Sequence, residues 1–203
     1  MILSRIRLNT DAVSTKRAIA NPQIIHAAVE ACINNEERKL WRIDYLATGV
    51  YLLILSPSTP DFDKFEFGVN GESREYSRLL EQLKNGMHLG FRLRANPTYT
   101  KSAGTGNRGQ IYAHVTIEQR RNWLLDKAPK CGFSLNENEF DIITSDNIRF
   151  RKKQGQKNVE LGIAEYEGLL CVEDAEIFKK ALIDGIGRAK AYGCGMLTVV
   201  NPR

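Results

Sequence analysis

Histidine and cysteine are scarce in this chain and nowhere clustered, which removes whole classes of chemistry. The three histidines stand at positions 26, 88 and 114, without the spacing of a metal motif, so we expect no metal site and no bound cofactor. Cys32, Cys131, Cys171 and Cys194 include no Cys-x-x-Cys pair. In a chain of this length without a secretory leader they read as reduced thiols that serve packing. No Gly-x-x-x-x-Gly-Lys-Ser/Thr occurs, which excludes a P-loop. No apolar run approaches the ~20 residues that a membrane helix needs. The first ten residues alternate polar and apolar side chains instead of forming a basic-then-apolar leader. The expectation is a cytoplasmic protein with no membrane partner.

What is present is enough apolar material for a core and a moderate basic excess. Of 203 residues 42% are hydrophobic, and the formal net charge is +5. Such a charge permits a polyanionic partner without requiring one, so the placement of the cations matters more than their number. One dense group lies near the C-terminus, where Gly185, Gly187, Gly193 and Gly195 alternate with Arg188 and Lys190 before an apolar strand. Clustered glycines imply positive φ or a close backbone approach. Amide groups in such a loop, with two cations beside them, suit a phosphate, although a tight helix-to-strand turn would use the same residues. A dinucleotide fingerprint is excluded, because Lys190 stands where the third glycine belongs and a helix precedes the loop.

Periodicity gives the order of elements. Ile2 to Leu8 alternates with period two and reads as a strand. Thr10 to Ala20 reads as irregular. Asn21-Pro22 is a helix start, with Asn as N-cap and Pro at the first helical position. The helix should run to about Asn34 with Ile25, Val29 and Cys32 on its apolar stripe. Leu40 to Leu46 and Val50 to Leu55 predict two strands joined by a turn at Ala47-Thr48-Gly49. A loop follows to Phe67, then a helix over Ser73 to Lys84 and a strand over Met87 to Ala95. That order is β-α-β-β-α-β. The second half repeats it: a strand at Ile111 to Val115, a helix capped by Thr116, strands at Phe140 to Phe150 and Val159 to Cys171, a helix capped by Asp174, and a strand at Met196 to Val200. The prediction is an α+β chain of two tandem ferredoxin-like (RRM-like) domains, 1–97 and 110–203, with 98–109 as linker.

The densest basic run is Arg149, Arg151, Lys152, Lys153 and Lys157, five cations and no acid in nine positions, with Gly155 at the turn between two strands. A cationic hairpin of this kind contacts nucleic-acid phosphates; alone, it would also serve to protect a sheet edge. Arg92 and Arg94 form a further basic pair. His26 is turned about 100° from Ile25 on the first helix, at the border of the buried face, where an imidazole could transfer protons. His114-Val-Thr116 is one half of the paired His-x-Thr signature of cyclic phosphodiesterases, and no second copy exists.

Two segments carry a family likeness. Phe91-Arg-Leu-Arg-Ala-Asn-Pro97 and the Gly185 to Leu197 loop resemble the CasE family of CRISPR-associated endoribonucleases, within the RAMP superfamily. The resemblance extends over the whole chain and implies the tandem ferredoxin-like fold. It also implies metal-independent cleavage of the CRISPR repeat transcript at the base of its hairpin. The 2′-hydroxyl attacks, leaving a 2′,3′-cyclic phosphate and a 5′-hydroxyl, and the enzyme remains on the crRNA beside other Cascade subunits. His26 matches the family's catalytic histidine. Members often carry a tyrosine three residues earlier, where this chain has Gln23, whose amide can bond a phosphate oxygen but cannot exchange a proton as a phenol does. The Arg149–Lys157 segment matches the hairpin that contacts the RNA stem, with Arg149 and Arg151 on one strand face. The Gly loop with Arg188 and Lys190, and the Arg92/Arg94 strand, would back the RNA path. The alternatives are a non-catalytic hairpin-binding subunit of the same superfamily, or a cyclic phosphodiesterase built on His114.

Overall fold

The computed structural model describes residues 1–33, 38–102, 104, 109–151 and 158–202. The first strand, β1 (Ile2–Leu8), buries Ser4, Ile6 and Leu8 and turns Arg5 and Arg7 outward. Residues expected to be irregular form helix α1 (Val13–Ala20), whose buried positions are Thr15 and Ala18. An apolar stripe that thin leaves little periodicity to read. Helix α2 (Pro22–Ala31) begins as its sequence dictates: the Asn21 side chain accepts a hydrogen bond from the Gln23 N–H at 3.2 Å, and Pro22 opens the first turn. Strands β2 (Leu40–Leu46) and β3 (Gly49–Ser56) form the expected antiparallel hairpin. The loop after β3 contains one 3-10 turn, Phe62–Lys64.

The next stretch departs from the sequence expectation. Residues Gly68–Glu75 form strand β4, which pairs with β1, and the helix expected over 73–84 shrinks to α3 (Ser77–Gln82). Strand β4 reads Gly-Val-Asn-Gly-Glu-Ser-Arg-Glu and has no apolar alternation. It is a strand because the open edge of β1 offers it backbone partners, with Ser4 and Ser73 hydroxyls 2.8 Å apart. The first sheet is ordered β2-β3-β1-β4, all antiparallel. That is ferredoxin-like order, with the second crossover helix replaced by the 3-10 loop.

Strand β5 (His88–Ala95), expected to close the first sheet, instead opens the second. Its buried residues Leu89, Phe91, Leu93 and Ala95 belong to the second core. The expected linker also has structure: β6 (Thr98–Lys101) and β7 (Gln110–Ala113) form a two-stranded ribbon inserted after β5. Helix α4 (Ile117–Lys127) carries a capping box between Thr116 and Gln119. A short strand β8 (Phe133–Ser134), the long hairpin β9 (Phe140–Arg151) and β10 (Asn158–Val172), helix α5 (Ala175–Asp184) capped by Asp174, and β11 (Leu197–Val200) complete the chain. The order β11-β5-β10 continues to β9 along most of β10 and to β8 at its end. This again is ferredoxin-like. The tandem fold stands: the first sheet ends at β4, and β5 pairs within the second.

The first sheet is apolar on both faces. Ile6, Trp41, Ile43, Leu52 and Ile54 share a core with Ile25 and Val29 of α2. Leu40 and Leu55 join the core of the second unit. This explains the unbroken apolar run of β3. Arg42, on the same strand face as Leu40, lies at the seam with its side chain 2% exposed. It grips Asp44 through Nε at 2.5 Å and Nη2 at 2.8 Å, and donates to the Arg92 and Met196 carbonyls and the Thr198 hydroxyl of the second unit.

Candidate active site

His26 sits on α2 between buried Ile25 and exposed Ala27, with its side chain 29% exposed. Its Nδ1 lies 3.9 Å from Oε1 of Glu30, one turn on. The other Glu30 oxygen accepts a 2.7 Å hydrogen bond from Lys39, whose side chain is buried. The carboxylate is therefore anchored on one side, and its other oxygen lies beyond hydrogen-bond distance of the imidazole. Gln23 is half-buried one turn earlier, and its backbone N–H is spent on the Asn21 cap.

The Gly loop meets this helix. Its 3-10 turn Lys190–Tyr192 is bracketed by Ala189 at φ 60° and Gly193 at φ 76°, both left-handed. Left-handed φ is costly for alanine, and such strain persists only where the surroundings hold it. A side chain at Gly193 would put its Cβ 2.6 Å from the Trp41 ring, and one at Gly195 would come 2.7 Å from the Ile186 carbonyl. The packing pins the turn and presents Tyr192 to α2. The Tyr192 ring lies 6.4 Å from that of His26, edge-on at 71°, and 4.7 Å from Phe150 at the root of the basic hairpin. Three distant segments thus converge on Tyr192. The sequence reading passed over it because the loop was read for its glycines and cations.

Several of the loop's amide groups are committed within the fold. Ile186 N–H donates to the Gly195 carbonyl, Gly193 N–H to Lys190, and Gly195 N–H to Arg94 of β5. Gly185 ends α5 at φ 74°, and Gly187 adopts φ 81° against Trp123. Lys190 turns back to donate to the Asp184 carbonyl at 2.6 Å, capping α5, and burial lowers its pKa. Arg188 is exposed.

The remaining cations fall into two groups. Arg149 and Arg151 are exposed on one face of β9 and flank buried Phe150. Arg149 pairs with Glu160 at 3.1 Å and Arg151 donates to Asn158 at 2.9 Å, both across the hairpin. Lys152, Lys153 and Lys157 lie outside the described residues. Arg92 and Arg94 are not free cations: Arg92 pairs with Glu167, and Arg94 with Glu165 at 3.2 Å. The Nε of each is buried without a partner among the described residues. Both line a cleft of about 510 Å³ between the two units that opens at Pro22, the start of the histidine helix. His114 stands elsewhere, on the ribbon against Tyr99 at 5.1 Å. Among the described residues no three His, Cys, Asp or Glu side chains gather into a metal-binding group, and no helix is long and apolar enough to cross a membrane.

A family model described as CRISPR associated protein matches residues 1–201. The chain belongs to this family. The CRISPR-associated endoribonuclease Cse3 of Thermus thermophilus is 30% identical over 221 residues, covering 98% of this chain and 99% of that relative. A structure of CRISPR endoribonuclease Cse3 bound to a 19-nucleotide RNA matches with TM-score 0.82 at 27% identity, covering 98% of this chain and all of the other. Thermus thermophilus Cse3 bound to an RNA representing a pre-cleavage complex matches with TM-score 0.82 at 25% identity, over 98% of each chain. The convergence at Tyr192 joins an imidazole, a phenol and the foot of a cationic hairpin across the seam of two units.

Proposed function

We propose that this chain is an endoribonuclease that cleaves CRISPR repeat RNA at the base of its hairpin. It then stays on the crRNA as a subunit of a cytoplasmic Cascade surveillance complex. The observation that carries this reading is the meeting of His26, Tyr192 and Phe150, which sets an imidazole beside a phenol at the root of a basic hairpin. The Cse3 relative named an endoribonuclease, and the Cse3 structures solved with RNA, support it.

The ribose 2′-oxygen adds to the adjacent phosphorus as its proton leaves, and the bond from phosphorus to the 5′-oxygen breaks as that oxygen is protonated. Two proton transfers are needed, each suited to a positioned acid/base side chain. His26 carries one. Glu30 places a carboxylate 3.9 Å from the ring. Tyr192 provides the neighbouring hydroxyl that Gln23 cannot, and Gln23 is left to bond a phosphate oxygen. Arg149 and Arg151 hold stem phosphates: the Arg149–Glu160 pair is exposed, and surface ion pairs of this type contribute only ~0–1 kcal/mol, while Arg151 bonds the neutral amide of Asn158 and keeps its charge for RNA. Lys152, Lys153 and Lys157 extend the same cationic run, and Arg188 adds a cation on the Gly loop. Arg92, Arg94 and Lys190, already committed to internal partners, shape the path more than they neutralise phosphate.

The test is cleavage of a cognate repeat hairpin in EDTA, with all-ribose RNA and with one 2′-deoxy residue at the cut site. Cleavage should require the 2′-hydroxyl and fall by about 10²–10⁴ in His26→Ala with hairpin affinity nearly intact. Tyr192→Phe separates the hydroxyl from the ring: a rate loss of about tenfold or more assigns the phenol a part in proton transfer. Hairpin binding with no cleavage by the wild type would establish a binding subunit instead, with Gln23 the departure that explains it.

A further inference from the structure

The ribbon of β6 and β7 carries a row of aromatic rings that the site above does not use. Tyr99 and Tyr112 sit opposite each other in the ribbon register and stack at 5.7 Å and 25°. His114 continues the row, 5.1 Å from Tyr99. Tyr99 is 45% exposed and Tyr112 38%. A two-stranded ribbon is marginal by itself, yet this one is held at its base: His114 N–H donates to the Pro97 carbonyl at 3.0 Å, and the buried Arg120 of α4 donates to the His114 carbonyl at 3.0 Å. The rings are therefore displayed on a fixed support.

Between this row and α4 lies a cleft of about 380 Å³. Its α4 side presents Gln119, Asn122 and Asp126, which share one helix face, with Lys127 and Lys130 at the end. Tyr99 and His114 form the ribbon side. The Nδ1 of His114 is buried and has no partner among the described residues. Burial and the nearby Arg120 lower the pKa of this ring, so at neutral pH it keeps one donor and one acceptor. An aromatic face, an amide and a carboxylate for a base edge, and lysines for a phosphate are together the chemistry that recognises an unpaired base. A hairpin stem, with its bases stacked and paired, has no group to put there.

We propose that the cleft between the tyrosine ribbon and α4 binds one unpaired nucleobase of the RNA strand flanking the hairpin. The inference rests on the RNA-processing reading and extends it to a second contact: the basic hairpin holds the stem, and the ribbon holds the single strand that leaves it.

The experiment measures affinity of the full chain for four RNAs, each blocked at the cut site with a 2′-deoxy residue. They are the hairpin alone, the hairpin with a 5′ single-stranded extension, the hairpin with a 3′ extension, and an unstructured single strand. One extension should tighten binding by about tenfold, as expected for stacking of a single base. Tyr99→Leu and Asn122→Ala should each remove that increment and leave affinity for the bare hairpin unchanged. Asn122 is exposed on its helix, so its variant reads the cleft even where Tyr99→Leu loosens the ribbon. The proposal is overturned if neither extension tightens binding, if the increment survives both variants, or if free mononucleotide binds as tightly as the extended RNA. The unstructured strand, whose weak binding Tyr99→Leu should abolish, reads the cleft without any hairpin. Failure of the endoribonuclease reading and failure of this one are thereby told apart.

Discussion

Removing Arg42 should cost more than any other single side-chain change at the seam, and the cost can be worked from its contacts. Its guanidinium makes five hydrogen bonds, two to Asp44 and three to groups of the second unit. Methionine fills much of the same space but leaves the Asp44 carboxylate, 11% exposed, without its two short hydrogen bonds and with Arg92 at 4.0 Å. Removing one member of a buried ion pair typically costs about 3–5 kcal/mol. With a urea slope of ~2–3 kcal/mol per molar, the midpoint of Arg42→Met should fall by about 1–2 M. Replacing both charges, Arg42→Met with Asp44→Leu, should recover more than half of the loss, because no ion is then stranded. Urea unfolding followed by tryptophan fluorescence is the assay. Trp41 reports on the first core and Trp123 on the second, so splitting of the single transition would show the seam opening before the units melt. The reasoning fails if the single variant loses less than about 1 kcal/mol, or if the double variant is no better than the single. Since His26 and Tyr192 lie on opposite sides of that seam, the folded Arg42→Met protein should also lose cleavage rate more than hairpin affinity.

Other expectations are simpler to test. Gly193→Ala adds a Cβ 2.6 Å from Trp41 at φ 76°, so it should destabilise by about 2–4 kcal/mol in a urea melt and slow cleavage by displacing Tyr192. Burial pushes the Cys194 thiol up to about 12, so this cysteine should resist iodoacetamide at pH 8 in the native protein and react on unfolding, as mass mapping would show. Neutralising Arg149 and Arg151 together should weaken hairpin binding and flatten its dependence on salt by about two phosphate contacts; an unchanged slope would mean they are merely solvated. The His114 pKa is lowered in the fold by burial, then by Arg120. Its contribution is therefore present above the ordinary imidazole value of 6.5 and lost as pH falls through the folded value. His114→Gln should accordingly lose less stability than wild type on acidification below pH 6.5.

Elements with strong caps and two-sided burial were legible in the sequence. Asn21-Pro22, Thr116 and Asp174 each begin a helix where the residues indicate, and the β2–β3 and β9–β10 hairpins lie over the expected strand segments. The assignment of β5 to the wrong sheet has a clear origin: alternating Leu89, Phe91, Leu93 and Ala95 specify a half-buried strand but not its neighbours. Strand β4 carries no apolar signal, and its pairing with β1 is a tertiary decision. At the site, the border position of His26 followed from helical spacing. The approach of Tyr192 did not, because it depends on a left-handed turn packed on Trp41, some 150 residues earlier in the chain. Arg92 and Arg94 read as free cations since their partners Glu167 and Glu165 come from β10, beyond any local pattern.

The division of the site between the units has an engineering consequence. Gly86 is exposed at φ 81°, with open space around its would-be side chain, in the short passage from α3 to β5. A break in the chain there would leave His26 on one fragment and Tyr192 with the basic hairpin on the other. Each fragment would carry half of an apolar seam, and neither would hold a whole site. Reassembly of the two would then be read out directly as RNA cleavage, which makes this fold a natural scaffold for a split, conditionally assembled nuclease.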